Sequence, residues 1–459
     1  MQKIQHKPNI IYILTDDMGY GDLSANNEFC PFKTPSFDFL SKNGIRFTDA
    51  HASSAVCTPS RYSILTGRYN WRSTLKQGVL GGYSSPLIPK ERTTLAQMLK
   101  DCGYRTEAIG KWHLGMEFPK LPGFVEEPDF AQSECIDFKG TIKSSPISAG
   151  FDYYYGISGS LDMPPYVYIE NDRFTAIPNR LTKGSGKGFW REGLTAPDFI
   201  HEEVLDHLTD KVLESIAKKD PKPFFIYFAL PAPHTPILPN PKFKGKSNTN
   251  DYGDFVLHCD DVLRRVTEQL AFHGMLDDTL ILFTSDNGCS PMADFKELAE
   301  KGHNPSYHFR GMKSDIFEGG HRVPLLLHWP KVLPRDRVCD RLVCLSDLFA
   351  TLADYLGFEL SPCMAEDSVS NRSLWEDPSS AEVRSSLVHQ SIDGSLSIRS
   401  GSGNSRCAQV PAAGRIHSLD LKRSPCYPVS SSISFLMIFR NNTMWLQYTL
   451  KLYKSYERC

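Results

Sequence analysis

Among the twelve cysteines of this 459-residue chain there is no Cys-x-x-Cys pair, which argues against a zinc module, and a chain of this size has no need of a disulfide framework. Cysteine usage therefore leaves the redox compartment open. An excess of charge of either sign is also missing. The 51 Lys and Arg stand against 53 Asp and Glu, a formal net charge of −2, so neither a nucleic-acid groove nor a polybasic membrane patch is implied. No nucleic-acid motif occurs. Long apolar runs are absent too, since the longest late one, Ile433 to Phe439, stops at Arg440 and falls short of the ~20 residues a membrane helix needs. The start, Met1-Gln2-Lys3-Ile4-Gln5-His6-Lys7-Pro8, leaves no room for a signal peptide before an apolar strand begins. The expectation is a cytoplasmic chain as written, or a periplasmic or secreted one if a leader is missing. What remains is length and apolar content enough for one large α/β domain with a smaller attachment.

Four short apolar runs each end in polar residues. Asn9 to Leu14 is followed by Thr15-Asp16-Asp17 and then Met18-Gly19-Tyr20-Gly21-Asp22; Tyr104 to Ile109 is followed by Gly110-Lys111-Trp112-His113-Leu114-Gly115. Phe224 to Leu230 runs into Pro231-Ala232-Pro233-His234-Thr235-Pro236, whose prolines hold the imidazole in an extended turn, and Thr279 to Thr284 runs into Ser285-Asp286-Asn287-Gly288. Continuous β-branched and aromatic runs of this kind make buried strands of a parallel sheet. If the four are parallel neighbours, their polar ends converge on one edge, where open α/β sheets bind ligands. A polar turn after a strand is ordinary, but four in one sheet are hard to assign to chance. Asp16, Asp17, Asp286 and Asn287 offer only oxygen, a set for calcium or magnesium rather than zinc.

The stretch Cys57-Thr58-Pro59-Ser60-Arg61, with Leu65-Thr66-Gly67-Arg68 after it, predicts a short helix capped by Thr58, with Pro59 in its first position and a stop at Gly67. Cys57 then sits at a helix N-terminus, where backbone N–H groups favour anions, and Arg61 stands one turn along. Helices are also expected from Thr93 to Lys100, from about Tyr252 to Phe272 and from Ser346 to Gly357, and a further strand from Val323 to Trp329. Glu170 to Gly188 reads as a loop that contributes to a pocket wall.

The string C-T-P-S-R followed by L-T-G-R resembles the signature of the type I sulfatases of the alkaline phosphatase superfamily, and G-K-W-H-L-G matches a second motif of that family. The resemblance runs from about Asn9 to Arg399. It implies an alkaline-phosphatase-like fold: a large mixed, mostly parallel sheet flanked by helices, with a small C-terminal α+β subdomain. It implies that Cys57 is oxidised to formylglycine by a formylglycine-generating or sulfatase-maturing enzyme that reads C-x-P-x-R. The hydrated aldehyde attacks sulfur in that family, at a site completed by a metal ion. Calcium is the favoured ion, held by Asp16, Asp17, Asp286, Asn287 and modified Cys57. Arg61, Lys111 and Lys313 are expected to neutralise sulfate oxygens, His113 to assist release of sulfate, and His234 with Lys313 to protonate the leaving oxygen. The Gly150-to-Asp162 loop resembles the one where the family places a hydroxyl near the sulfate. Ser160 aligns best there, although Ser158 would serve equally by chemistry. Asp162, Tyr166 and Tyr168 are placed to contact a sugar ring, and the expected substrate is a sulfated saccharide or aryl sulfate. Two other classes compete: a phosphate or phosphonate ester hydrolase of the same superfamily, and an inactive relative that binds sulfated glycans.

The resemblance stops near Gly401. Where the family would continue with G-K-W-K and then C-P-G-S-G-G-W, this chain reads Ser402-Gly403-Asn404-Ser405-Arg406-Cys407-Ala408-Gln409-Val410-Pro411. Suitable codons for this stretch, read two bases along, restore both lost motifs. After residue 400, eight Lys and Arg stand against Asp420 and Glu457, so the tail carries +6 and the remainder −8 of a chain whose total is −2. The expected organisation is a catalytic domain over 1–358, the start of a C-terminal subdomain over 359–400, and a tail over 401–459 that is out of frame, poorly packed and leaves that subdomain incomplete.

Overall fold

The computed structural model describes residues 7–124 and 135–400, together with the strand backbones 408–410, 433–440 and 443–450. The four apolar runs are strands and are neighbours. Ten strands form the main sheet: β1 (Asn9–Thr15), β2 (Ile45–Phe47), β3 (Arg105–Lys111), β4 (Tyr153–Ile157), β5 (Ile169–Glu170), β6 (Arg173–Phe174), β7 (Phe224–Ala229), β8 (Thr279–Ser285), β9 (Leu325–His328) and β10 (Arg337–Cys339). Their order is β10-β2-β9-β8-β1-β7-β3-β4-β5-β6. The central five, β8-β1-β7-β3-β4, are mutually parallel, with Leu14 opposite Ala229 and Thr284, and Ala229 opposite Gly110. Antiparallel strands flank this parallel centre on each side.

Period-2 alternation divides β1 between two hydrophobic layers. Ile10, Tyr12 and Leu14 pack on one face of the sheet, and Ile11 and Ile13 on the other. The second face is covered by α1 (Pro35–Lys42), α4 (Val204–Ala217) and α5 (Asp251–Phe272). The first is covered by α2 (Cys57–Thr66), α3 (Leu95–Asp101) and the helix Leu348–Leu356. Helix α5 begins at Asp251 because the Asn250 side chain accepts from the Tyr252 and Gly253 amides, and α3 begins after Thr94, which accepts from Gln97 N–H.

Several boundaries differ from the sequence reading. Helix α2 starts at Cys57 after an extended Val56, and Thr58 is no cap: its hydroxyl accepts from Leu80 N–H, and Pro59 is the third helical residue, where no intrahelical N–H is required. Gly67 does end the helix, in the left-handed region at φ 62°, where a Cβ would stand 2.6 Å from the Ala365 Cβ. The strand expected from Val323 to Trp329 narrows to Leu325–His328. The Glu170-to-Gly188 loop is punctuated by short strands, among them Arg180–Thr182, paired with Gly193–Thr195. Toward the C-terminus, Ser386–Gln390, Leu396–Ser400 and Ala408–Val410 pair antiparallel, and Ile433–Arg440 pairs with Thr443–Leu450. The remainder of the tail, and with it the inferred frame change at 401, lies outside the described residues. Among the described residues no helix is long and apolar enough to cross a membrane.

Candidate functional site

Parallel register brings the polar ends of β8, β1, β7 and β3 to one edge, and α2 points its N-terminus at the same place. Asp16, Asp17, Asp286, Asn287, Arg61, Lys111 and His113 are all essentially buried, as is Cys57 at 2% exposure. Lys111 and His113 do not lie on an exposed turn: Lys111 is the last residue of β3 and His113 is fully enclosed. Two side chains of the site sit on left-handed backbone that only a minority of non-glycine residues adopt, Asp17 at φ 65° and His113 at φ 55°. At the end of β8, Gly288 has no room for a Cβ, which would stand 1.8 Å from the Gly319 carbonyl oxygen.

Each carboxylate has a fixed cation. Lys111 Nζ donates to Asp16 Oδ2 at 2.6 Å and to Ser160 Oγ at 2.5 Å. Arg61 Nε donates to Asp286 Oδ2 at 2.9 Å, and its Nη1 donates to the Lys111 carbonyl at 3.2 Å, so Arg61 reaches the site through Asp286. Lys313 Nζ lies 2.7 Å from Asp17 Oδ1 and 2.8 Å from Asp17 Oδ2, and Asn287 Nδ2 donates to Asp17 Oδ1 at 2.7 Å. Burial alone would raise the Asp16 carboxyl, but Lys111, His234 and Arg61 hold it well below the usual carboxylate range. Burial pushes Asp286 up to about 6 against the pull of Arg61, with the charge of Asp16 adding to the rise. Burial would also lower Arg61 and Lys313, yet Asp286 and Asp17 respectively hold them above their ordinary values. Burial raises the Cys57 thiol, with Lys111 and Lys313 opposing, so the unmodified side chain rests as a thiol and is a poor nucleophile.

Among the described residues, two oxygens of the Asp16, Asp17, Asp286 and Asn287 set are left over. Asp16 Oδ1 and Asn287 Oδ1 are buried without a hydrogen-bond partner, in a set where Asp16, Asp17 and His234 place ligand atoms within 4.8 Å of one another. Unpaired buried oxygens beside further carboxylates fit a hard divalent cation. The three carboxylates and the three fixed cations cancel, so a bound dication would leave the pocket net positive and suited to an anionic ester.

The two histidines are held in different ways. His113 Nε2–H donates to the Leu80 carbonyl at 2.7 Å, leaving Nδ1 buried and unpartnered; burial, with Lys111 beside it, lowers its pKa well below the ordinary value, so the ring is neutral. His234 Nδ1–H donates to the Thr235 carbonyl at 2.5 Å, and Nε2 lies 3.5 Å from Asp17 Oδ2. Of the two loop serines, Ser160 meets Lys111, whereas Ser158 donates to the Gly82 carbonyl at 2.7 Å. Asp162 is paired with Arg191. Tyr166 and Tyr168 correct the sequence reading. They are 1% and 2% exposed, Tyr166 donating to the Asp162 and Arg191 carbonyls and Tyr168 stacking on His207, so they support the loop and cannot lie against a sugar.

Sequence reasoning missed the struts beneath the loop after β1. Asp22 accepts from Tyr252 OH at 2.5 Å, from Gly19 N–H at 2.7 Å and from His303 Nε2 at 2.7 Å, and Tyr252 OH also lies 3.1 Å from the Asp17 carbonyl. Asp22 stands in a polar run of the sequence, but its side-chain partners Tyr252 and His303 lie more than 200 residues away.

Comparison with known proteins agrees with this geometry. Residues 8–358 match the family model described as Sulfatase. The chain is 33% identical over 440 residues to an N-acetylgalactosamine-6-O-sulfatase of Bacteroides thetaiotaomicron, covering 86% of this chain and 81% of that protein. It is 29% identical over 410 residues to an arylsulfatase of Hemicentrotus pulcherrimus, covering 86% of this chain and 66% of that protein. A solved 6S-sulf structure from the glycosaminoglycan-metabolising locus of Bacteroides thetaiotaomicron superposes with a TM-score of 0.75 at 30% identity, over 86% of each chain.

Proposed function

The chain belongs to the sulfatase family, and on that premise we propose that it removes sulfate from a saccharide by means of a formylglycine made from Cys57 and a bound calcium ion. A 6-O-sulfated N-acetylhexosamine is the first substrate to test, because one similar bacterial protein is named an N-acetylgalactosamine-6-O-sulfatase and a similar solved structure is labelled 6S-sulf. The observation that carries the reading is the meeting of Cys57, at the N-terminus of α2, with Lys111, Lys313 and two unpartnered oxygens. Calcium would be held by Asp16, Asp17, Asp286 and Asn287 and would supply Lewis-acid polarisation of the ester; magnesium is the alternative ion. A formylglycine at 57 would supply a hydroxyl nucleophile in place of the thiol, and its formation requires a maturing enzyme as partner.

The remaining work falls to side chains whose positions are fixed. Lys111 and Lys313 are preorganised donors for sulfate oxygens as charge develops, and the Ser160 hydroxyl is held beside them by Lys111. Arg61 keeps Asp286 ionised and in place. His113, neutral and with its Nδ1 lone pair free, is fitted to accept a proton; His234, oriented by the Thr235 carbonyl and close to the Asp17–Lys313 pair, is fitted to deliver one to the leaving oxygen. Asp162, braced by Arg191, would be the contact to the substrate.

The test is a mass spectrum of the tryptic peptide containing Cys57, paired with sulfate release from N-acetylgalactosamine 6-sulfate and from the matching phosphate ester. The aldehyde mass together with preferential cleavage of the sulfate ester is the expected result. An unmodified thiol in protein that still turns over, or preference for the phosphate ester, would overturn the reading.

A further inference from the structure

Behind the Cys57 loop lies a second buried polar cluster that the reaction does not use. His51, from the short strand Ala50–His51, His321, at the end of the helix Glu318–His321, and His389, in the strand Ser386–Gln390, are each 0% exposed. One nitrogen of each lies within 4.8 Å of the others.

Hydrogen-bond accounting fixes which nitrogens carry protons. His51 Nε2 faces Asp49 Oδ1 at 2.8 Å, and Asp49 is also paired with Arg399 and Arg322, which keep it an ionised acceptor; His51 Nε2 must therefore be the donor. His321 Nε2 faces the Ile316 carbonyl at 3.2 Å and His389 Nδ1 faces the Ala52 carbonyl at 3.1 Å, so these too donate. Three lone pairs remain: His51 Nδ1 and His321 Nδ1, which point at each other across 3.0 Å, and His389 Nε2, which is buried without any partner. Two lone pairs at that distance repel unless a cation stands with them. Burial lowers the pKa of all three rings, which favours neutral ligands.

We propose that His51, His321 and His389 form a structural site for a zinc-type divalent ion, separate from the oxygen-rich site at the sheet edge. An all-imidazole set selects zinc over calcium, and each ring has its far nitrogen fixed by an acceptor, one of them the Asp49 carboxylate, as metal-binding histidines require. The 3.0 Å between the two Nδ1 atoms is slightly less than the ~3.4 Å that two imidazoles span on a tetrahedral ion. The rings of His321 and His389 are stacked at 3.6 Å and 9°, so loading requires His389 to turn out of the stack to aim Nε2 at the ion. The ion would staple three segments together at the back of the nucleophile loop. Ala52 N–H already donates to the His321 carbonyl, and Ala55 N–H and Ser54 Oγ to the Gln390 carbonyl.

The test uses the full chain carrying Cys57→Ala, stripped with chelator and then saturated with calcium, so it does not depend on the catalytic aldehyde. Cobalt(II) is titrated while visible absorption is followed, and zinc while melting is followed. One equivalent of cobalt should give tetrahedral ligand-field bands without a thiolate charge-transfer band, zinc should raise the melting temperature, and both responses should vanish in His389→Gln. X-ray absorption at the zinc edge of the loaded protein, which needs no further substitution, should count three imidazoles and no sulfur. No response to either metal, a response that survives His389→Gln, or a sulfur-containing shell would each overturn the site.

Discussion

The oxygen-rich cluster at the sheet edge and the histidine cluster behind the Cys57 loop are buried to the same degree, yet they solve that burial in opposite ways. At the sheet edge, three carboxylates are each paired with a cation, Arg61, Lys111 or Lys313, and their oxygens are mostly engaged. In the histidine cluster the groups are neutral, and each is satisfied on one side only. The difference shows where fragility should lie. Removing one member of a buried ion pair leaves a charge with nowhere to go, whereas removing one neutral imidazole leaves an unmet hydrogen bond and a small void.

The largest expected effect separates chemistry from scaffold. Cys57→Ala should take turnover of a sulfate ester to background while circular dichroism and melting stay close to those of the parent, because the site keeps every ion pair. Full activity in that variant would remove Cys57 from the mechanism.

Next in size is a direct contrast between the clusters. Arg61→Met leaves Asp286 and Asp16 facing each other in a fully buried site, and should cost about 3–5 kcal/mol in chemical denaturation. His389→Gln, measured in chelator-treated protein, should cost about 1–2 kcal/mol, the scale of one unmet polar group. Equal losses would mean that the charges at the sheet edge are screened by something other than Arg61.

Removal of calcium, measured in the His389→Gln background so that the histidine cluster holds no metal, should act only on the first cluster. Three carboxylates and Asn287, with the Asp16 Oδ1 and Asn287 Oδ1 atoms unpartnered, lose their shared ligand, so chelation should lower both activity and melting temperature. Calcium at about 100 times its dissociation constant should restore about 2.7 kcal/mol. Unchanged melting with and without chelator would argue against a metal shared among Asp16, Asp17, Asp286 and Asn287.

How much of this was readable beforehand follows from how local each signal is. The strand ends that carry Asp16, Lys111, His234 and Asp286 were legible because a continuous apolar run followed by polar residues is a local pattern, and the parallel order then forces those ends together. The start of α2 differs from the expectation because the Thr58 hydroxyl accepts from Leu80 N–H, a partner 22 residues away that no capping rule anticipates. Tyr166 and Tyr168 looked like sugar contacts because aromatic residues near a site are ambiguous until burial is known. His51, His321 and His389 gave no signal, since each comes alone from a different element. The choice between Ser158 and Ser160 needed the direction of one side chain.

A smaller effect than that of calcium tests whether burial alone, without clustering, makes a histidine matter. His328, on β9, is 1% exposed, packs against Phe39, and has Nδ1 unpartnered, away from both clusters. Burial, aided by the charge of Arg335, lowers its pKa to about 4, against ~6.5 in the unfolded chain. A histidine with a depressed folded pKa stabilises the protein fully above the unfolded value. That stability is lost as pH falls from about 6.5 toward 4, because the unfolded chain takes up the proton first. At pH 5 the loss from this one ring should be about 2 kcal/mol relative to pH 7.5. His328→Gln cannot take up that proton, so its denaturation free energy should fall less steeply between pH 7.5 and pH 5 than that of the parent. The two curves should draw together by about that amount as pH is lowered. Parallel curves would show that His328 is solvated in the folded protein and takes up its proton as readily there as in the unfolded chain.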